Sequence, residues 1–303
     1  MQSKLSNHTV QGFLLAIIAT LLWSGNFIIA RKVSNSISPI SLAFFRWTCA
    51  SLVLFPFAYK QVIAEWSHLK ANWKILTWLA LTGIALFNTF VYVAGHNTSA
   101  INMALIGTTS SPIFATAMAV LFLKERLGFY RIIGMIICIL GIVLLISKGS
   151  WEVLLSFKFS SGDAWILAGA FAFAVYNILV RKKPVTISAL SFLLVIFVLG
   201  ALMLFPFFIL EQYIVKAPTN WSPTLFGSIL YLGIGTSVLA FWCWNLAISK
   251  LGAGRTVLFG NLIPIFSTLE AILILGETVT PIHFYSGILV ISGLVIANIT
   301  FKK

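Results

Sequence analysis

Charge is scarce in this chain. Of its 303 residues only 9% are Asp, Glu, Lys or Arg, against about a quarter in soluble domains. A water-facing surface cannot be built from so few charges, which excludes an ordinary soluble globule. The acidic sign is the scarcer, seven residues against twenty basic, and the apolar segments hold none of the paired carboxylates that acid–base catalysis needs. The three cysteines, Cys49, Cys138 and Cys243, fall inside apolar blocks without pair or metal spacing and read as small apolar filler. Four scattered histidines suggest no metal site. No G-x-x-x-x-G-K-[ST] pattern occurs, which argues against direct drive by ATP. No cofactor is implied.

What fills the chain is hydrophobic residue, 60% of the total. It comes in blocks of the length that crosses a bilayer, roughly 17 to 25 residues each. They lie at about 12–30, 40–59, 75–95, 101–123, 131–147, 163–180, 186–210, 224–247, 254–275 and 283–300. The pattern predicts an all-α integral membrane protein of ten transmembrane helices, with no room for a soluble domain. The first block is too long for a signal-peptide core and lacks a small-residue cleavage site, so it is read as the first span.

A net charge of +13 would suggest nucleic acid in a soluble protein. Here the distribution decides otherwise. With the N-terminus inside, fourteen of the twenty basic residues fall in inner segments and five, Arg31, Lys32, Lys148, Lys158 and Lys216, in outer ones. That asymmetry is the positive-inside signature, and it predicts both termini in the cytoplasm of a bacterial-type inner membrane. Basicity means topology, and no nucleic-acid partner is expected.

The chain also repeats itself. "SPIFATAMAVLFLKE" ends at Glu125, and "IPIFSTLEAILILGE" ends at Glu277. Pro112, Ile113, Phe114, Glu125 and Gly141 recur 152 residues later as Pro264, Ile265, Phe266, Glu277 and Gly293; "LFPF" recurs at an offset of 150. Each half then holds five spans, an odd number, so the second half enters the membrane from the opposite side. Inverted repeats of this kind are a device of transporters. Thirteen residues of helix rise about 20 Å, which sets each proline within a span and each glutamate at its boundary. The prolines are expected to hinge the helix or shape a cavity wall. The glutamates are expected to accept from the first amides of the following helix, closing a tight turn.

"WSGNFIIARKVSNSISPISLAFFRW" in the first half resembles the opening of EamA-family proteins of the drug/metabolite transporter superfamily. "LGIGTSVLAFWCWNLAISKLGAGRTVLFGNLIPIFSTLEAILILGETVT" resembles that family's second repeat. The resemblance spans nearly the whole chain and implies two inverted five-helix repeats, 12–148 and 161–300, around a central cavity. It also implies that the first, third and fourth helices of each half line that cavity. Glu270 departs from the pattern, since an apolar or small residue is expected there and Met118 is its counterpart.

Polar residues within spans tend to face a bundle interior. On the implied lining these are Trp23 and Asn26 (i, i+3), Asn88 and Tyr92 (i, i+4), Tyr176 and Asn177, Trp242 and Asn245 (i, i+3), and Asn261, one turn before Pro264. An amide beside an aromatic ring suits a neutral or zwitterionic solute with an apolar part. The plain alternative is that the rings anchor at the interface and the amides join helices.

Arg46 and Glu270 are charges well inside spans, each about 10 Å from the outer end of its helix. An unpaired charge there costs at least about 2.5–3.5 kcal/mol, so partners are expected. The two could pair; Arg46 could instead snorkel to outer headgroups or bond helix-end carbonyls. Glu270 alone in a cavity would be a site for a coupling proton. Gly134, Cys138 and Gly141 form a small-residue face on the fifth helix, and Ser286 and Gly293 one on the tenth. The expectation is close packing of these two helices, with a homodimer contact as the alternative to a monomer.

These features predict a secondary transporter, by alternating access, of a small organic metabolite, with amino acids and related amphipathic compounds first and export the favoured direction. No cluster of basic residues at mid-depth is available for a phosphorylated or nucleotide-type solute, the alternative within transport. A membrane-embedded enzyme lacks its dyad and a channel its ring of like residues. A structural or receptor protein is the alternative of another class.

Overall fold

In lipid every backbone polar group must be satisfied internally, so uninterrupted apolar runs close into helices. The computed structural model describes residues 7–124, 128–155, 160–217, 219–251, 256 and 259–297, and these contain no strand. The long helices are α1 (Asn7–Lys32), α2 (Pro39–Ala64), α3 (Trp73–Asn97), α4 (Ala100–Leu123), α5 (Phe129–Ile146), α6 (Ser161–Lys182), α7 (Ala189–Ile214), α8 (Pro223–Leu251), α9 (Gly260–Leu275) and α10 (Pro281–Ala297). Among the described residues seven helices, α1 to α3 and α5 to α8, are long and apolar enough to cross a membrane; α9 and α10 are shorter apolar helices. Leu52, Phe57, Leu121 and Leu273 project outward, a surface that would associate in water and suits lipid. The chain is a multi-pass membrane protein.

Local chemistry starts and stops these helices. Ser188 and Ser222 cap α7 and α8 by accepting from the backbone N–H of Ser191 (3.3 Å) and Leu225 (3.1 Å). Pro39 and Pro223 stand in the first turns of α2 and α8, where their missing N–H leaves no bond unmade. Gly276 ends α9 at φ 67°, a left-handed conformation that glycine adopts without penalty; Lys124 takes φ 53° after α4.

Packing joins early helices to late ones. α2 lies against α7, α5 against α10, α1 against α8 and α9, and α6 against α3 and α4. The α2–α7 contact carries a reciprocal pair of carboxylates. Glu65, just past α2, accepts from the Ser188 N–H at the head of α7 (3.0 Å). Glu211, near the end of α7, accepts from the N–H and hydroxyl of Ser41 at the head of α2 (2.9 and 2.8 Å). Each acid meets the positive end of the other's helix.

The α5–α10 contact has no space for side chains. A Cβ on Gly134 would stand 2.4 Å from the Gly293 carbonyl oxygen and from the Ala297 nitrogen, and one on Gly293 2.7 Å from Cys138 Sγ. The small residues therefore pack these two helices together. The glutamate repeat needs correction. Glu277 does accept from first-turn amides, those of Ala100 (2.8 Å) and Ile101 (3.2 Å), but they belong to α4 and not to the helix that follows. Backbone amides that are free at any nearby helix start can take the acid, and tertiary packing presents α4's. Glu125 lies outside the described residues.

Two ends of the bundle are thereby defined. One end gathers the segments after α1, α3, α5, α7 and α9: Asn220 N–H donates to the Ser36 carbonyl, Ser160 to the Asn97 carbonyl and Arg31 to the Gly95 carbonyl, and Gly149 lies against Ile282. The other joins Glu65 to Ser188 and Gly12 to Leu251.

Candidate functional site

Four consecutive residues of α1, Trp23-Ser24-Gly25-Asn26, organise the interior. Successive residues turn about 100° around a helix, so four in a row address almost its whole circumference. Each of the four meets a different group.

Trp23 faces α8. Its Nε1 donates to the Thr236 carbonyl (3.1 Å), and its ring lies 5.4 Å from Phe241 and 5.0 Å from Trp244, centroid to centroid. The carbonyl lies in a π-helical stretch of α8, Tyr231–Leu239, where i to i+5 bonding replaces the regular i to i+4. Ser24 faces α9, its Oγ 2.8 Å from Glu270 Oε1. Gly25 lies under Tyr231, where a Cβ would come within 2.2 Å of the hydroxyl oxygen. That hydroxyl donates to the Leu22 carbonyl at 2.9 Å.

Asn26 reaches Arg46 on α2. Arg46 is 4% exposed. Its Nη1 donates to Asn26 Oδ1 (2.6 Å), Asn88 Oδ1 (2.6 Å) and the Tyr92 hydroxyl oxygen (2.8 Å), and its Nε to Ser237 Oγ (3.0 Å). Nη1 has only two hydrogens for three oxygens, so one is shared. The Tyr92 hydroxyl donates onward to Asn26 Oδ1 at 3.3 Å. The guanidinium also lies over the Trp47 ring, its Cζ 4.6 Å from the centroid. One cation thus ties α1, α2, α3 and α8 through neutral oxygens.

Three of the sequence candidates, Asn26, Asn88 and Tyr92, are brought together here, and Trp23 lies beside them. Arg46 does not pair with Glu270: its Nη1 and Nε bond Asn26, Asn88, Tyr92 and Ser237, while Glu270 lies on another face of α1, at Ser24. Nor does it snorkel, being buried among α1, α2, α3 and α8. Glu270 bonds Ser24, and its Oε2 is buried with no hydrogen bond among the described residues.

Other candidates are elsewhere. Tyr176 is buried against Gly83 of α3, where a Cβ would stand 2.3 Å from its ring, and it stacks on Phe173. Asn177 and Asn261 are half-buried on α6 and α9. Trp242 is 60% exposed and turned away from Trp23, so it is corrected to an outward position; Trp244, two residues on, takes the inward one. Asn245 is exposed and donates to the Phe241 carbonyl of its own helix (2.9 Å), away from the cluster. Pro264 stands in the first turn after a 3-10 turn, Gly260–Leu262, at the start of α9, whereas Pro112 sits within continuous α4.

Sequence reasoning passed over Ser24, Tyr231, Ser237 and Trp47. Ser24 and the "SGN" stretch were visible as small polar residues in an apolar helix; Tyr231 and Ser237 gave no separate signal.

Known proteins give the wider context. A model of the EamA-like transporter family matches residues 10–147 and again 160–299. An uncharacterized transporter of Archaeoglobus fulgidus is 28% identical over 93% of this chain and 95% of its own. A protein of Salmonella typhimurium named a probable amino-acid metabolite efflux pump is 24% identical over 95% of each chain. One solved crystal structure, 20% identical, covers 96% of this chain and 97% of its own with a TM-score of 0.59, a likeness of fold alone.

Proposed function

The chain belongs to the EamA-like transporter family, and we propose that it carries an amino acid or related amphipathic metabolite outward across a bacterial-type inner membrane by alternating access. It is a transporter and not an enzyme. The observation that carries the solute class is the α1 stretch 23–26: amides, a phenol and indole rings converge on one level of the bundle, with a buried cation on one side of α1 and a carboxylate on the other. Such a lining bonds a polar head and covers an apolar remainder.

The alternating movement rests on two five-helix repeats, 12–148 and 161–300, inverted across ten spans, with both termini cytoplasmic. The packing supports this reading. α1 meets α8 and α9 as α6 meets α3 and α4, while α2–α7 and α5–α10 are partners of equivalent rank. α3 and α8 carry π-helical stretches at matching places, Ala80–Leu86 and Tyr231–Leu239. Even the tight contacts correspond: Gly25 under Tyr231, and Gly83 under Tyr176. On the expected topology the end that holds Glu211, Glu277 and Asp163 faces outward. Its ties, Asp163 to the Thr98 hydroxyl (2.8 Å) among them, must part for solute to leave. Pro112 and Pro264 supply places to bend, and Glu270 carries the coupling proton.

The experiment is uptake of amino acids into inside-out proteoliposomes, beside a thermal-shift screen of the purified protein against amino acids and phosphorylated metabolites. Amino acids are expected to accumulate and to raise the melting temperature. Stabilisation by phosphorylated anions alone would overturn the solute class.

A further inference from the structure

We propose that Arg46 and Trp47 form the subsite that reads a carboxylate on the transported solute. This deepens the transport reading and rests on it. Arg46 carries five N–H donors and is buried within α2, where an isolated charge is costly. The oxygens that receive them are all uncharged: two amides, a phenol and a serine hydroxyl. Among the described residues no carboxylate pairs with it, and Glu270 is engaged on the other face of α1 by Ser24.

The donors are also unevenly used. Three oxygens crowd Nη1, whereas Nη2 makes no hydrogen bond among the described residues. The indole on which the guanidinium lies has a donor in the same condition. Trp47 Nε1 is buried and meets no acceptor among the described residues, although Trp47 is only 2% exposed. A buried N–H without an acceptor forfeits a hydrogen bond, as Trp47 Nε1 does, and that donor beside the unused Nη2 of a cation calls for an anion. The guanidinium fork matches the two oxygens of a carboxylate. A doubly charged phosphate fits poorly, because Arg46 is the one cation in this cluster.

Rigidity favours the same assignment. Asn26, Asn88 and Tyr92 come from α1 and α3, so they hold the guanidinium while the helices move. A carboxylate can then take Nη2 and Trp47 Nε1 without displacing them. Aromatic residues on α8 lie on the adjacent Trp23 face of α1, where the apolar part of a solute would rest.

The test is ligand-induced thermal shift on the full chain in detergent, with three sets of probes: amino acids, their primary amides, and monocarboxylates that lack the amine. Wild-type protein is expected to prefer each acid over its amide by about tenfold or more, the scale of one charge-assisted bond. Arg46→Gln is expected to bring acid and amide within about twofold. Since Arg46 ties four helices, Trp47→Phe provides a variant that keeps the ring packing, and it is expected to reduce acid affinity severalfold while leaving the amide unchanged. Equal binding of acids and amides by the wild type overturns the inference and leaves the amino-acid reading standing. Arg46-dependent binding of monocarboxylates without any of amino acids upholds the subsite and overturns that reading. No shift with any carboxylate overturns the subsite.

Discussion

Ser24 Oγ lies 2.8 Å from Glu270 Oε1 and 2.6 Å from the Leu21 carbonyl oxygen. A hydroxyl has one hydrogen, so the two oxygens share it unless a proton on Glu270 supplies one of the bonds. If it goes to the carbonyl, the second bond needs a proton on Glu270, which then donates to Ser24. If Glu270 is ionised, Ser24 shares its one hydrogen between its own helix and the acid. On the proposed role of Glu270, protonation of its carboxyl is expected to change how Ser24 bonds the α1 backbone.

Glu270→Gln keeps a donor toward Ser24, so the protein is expected to fold and to bind solute as before. Uptake driven by an imposed pH gradient is expected to fall at least about tenfold, since an amide cannot carry the proton. Counterflow without a gradient should persist. Gradient-driven uptake equal to wild type would remove Glu270 from coupling.

Gly25→Ala sets a methyl 2.2 Å from the Tyr231 hydroxyl oxygen. The expected cost is about 1–3 kcal/mol, seen as a lower melting temperature. Tyr231→Phe removes the nearest atom and should recover part of it. A double-mutant cycle with no coupling between the two changes would contradict the contact.

Gly134→Ala is expected to be worse. Its Cβ would meet backbone on α10, the Gly293 oxygen and the Ala297 nitrogen, each at 2.4 Å, and backbone cannot rotate away. The expected result is little folded protein on size-exclusion chromatography, whereas Ile136→Ala, on the exposed side of α5, should be tolerated.

Glu65 supplies a pH dependence outside the spans. Burial pushes its carboxyl up, but the Ser188 N–H, the Ser191 and Ser188 hydroxyls and His68 together hold it below the ordinary carboxylate value. A lowered folded value stabilises at pH above the unfolded one, and the benefit is lost as pH falls through the folded value. Glu65→Gln is therefore expected to cost about 1 kcal/mol or less near neutrality, the range of a helix cap. The gap in melting temperature from wild type should close in acid. A gap that widens in acid would refute the cap.

Much of the fold was legible because helices in lipid follow from apolar length alone. The observed α2 and α4 begin within a residue of the expected blocks at 40 and 101. Asn26, Asn88 and Tyr92 were found because a polar side chain in such a run tends to turn inward. The reciprocal acids at the α2–α7 contact went unread although "SPIS" at 38–41 and "SALS" at 188–191 stand 150 residues apart. Serines at helix starts look like local caps, and nothing nearby in the chain names the distant carboxylate.

Trp242 shows where linear reading fails. The i, i+3 spacing of Trp242 and Asn245 identifies a shared face but not its direction. The π-helical stretch Tyr231–Leu239 lies just upstream and rotates everything after it, so Trp244 faces Trp23 instead. Such a stretch is stabilised by contacts from another helix, among them the Trp23 bond to Thr236.

Composition and run length by themselves determined that this chain lives in lipid, as helices, with few polar groups turned inward, because the cost of exposing backbone or charge to hydrocarbon depends on local sequence. Which polar groups meet was decided only by tertiary structure. Arg46 bonds Asn26 and Asn88 and not Glu270, because the choice among several possible partners turns on a few ångströms of helix rotation and approach, set by packing between helices far apart in the chain.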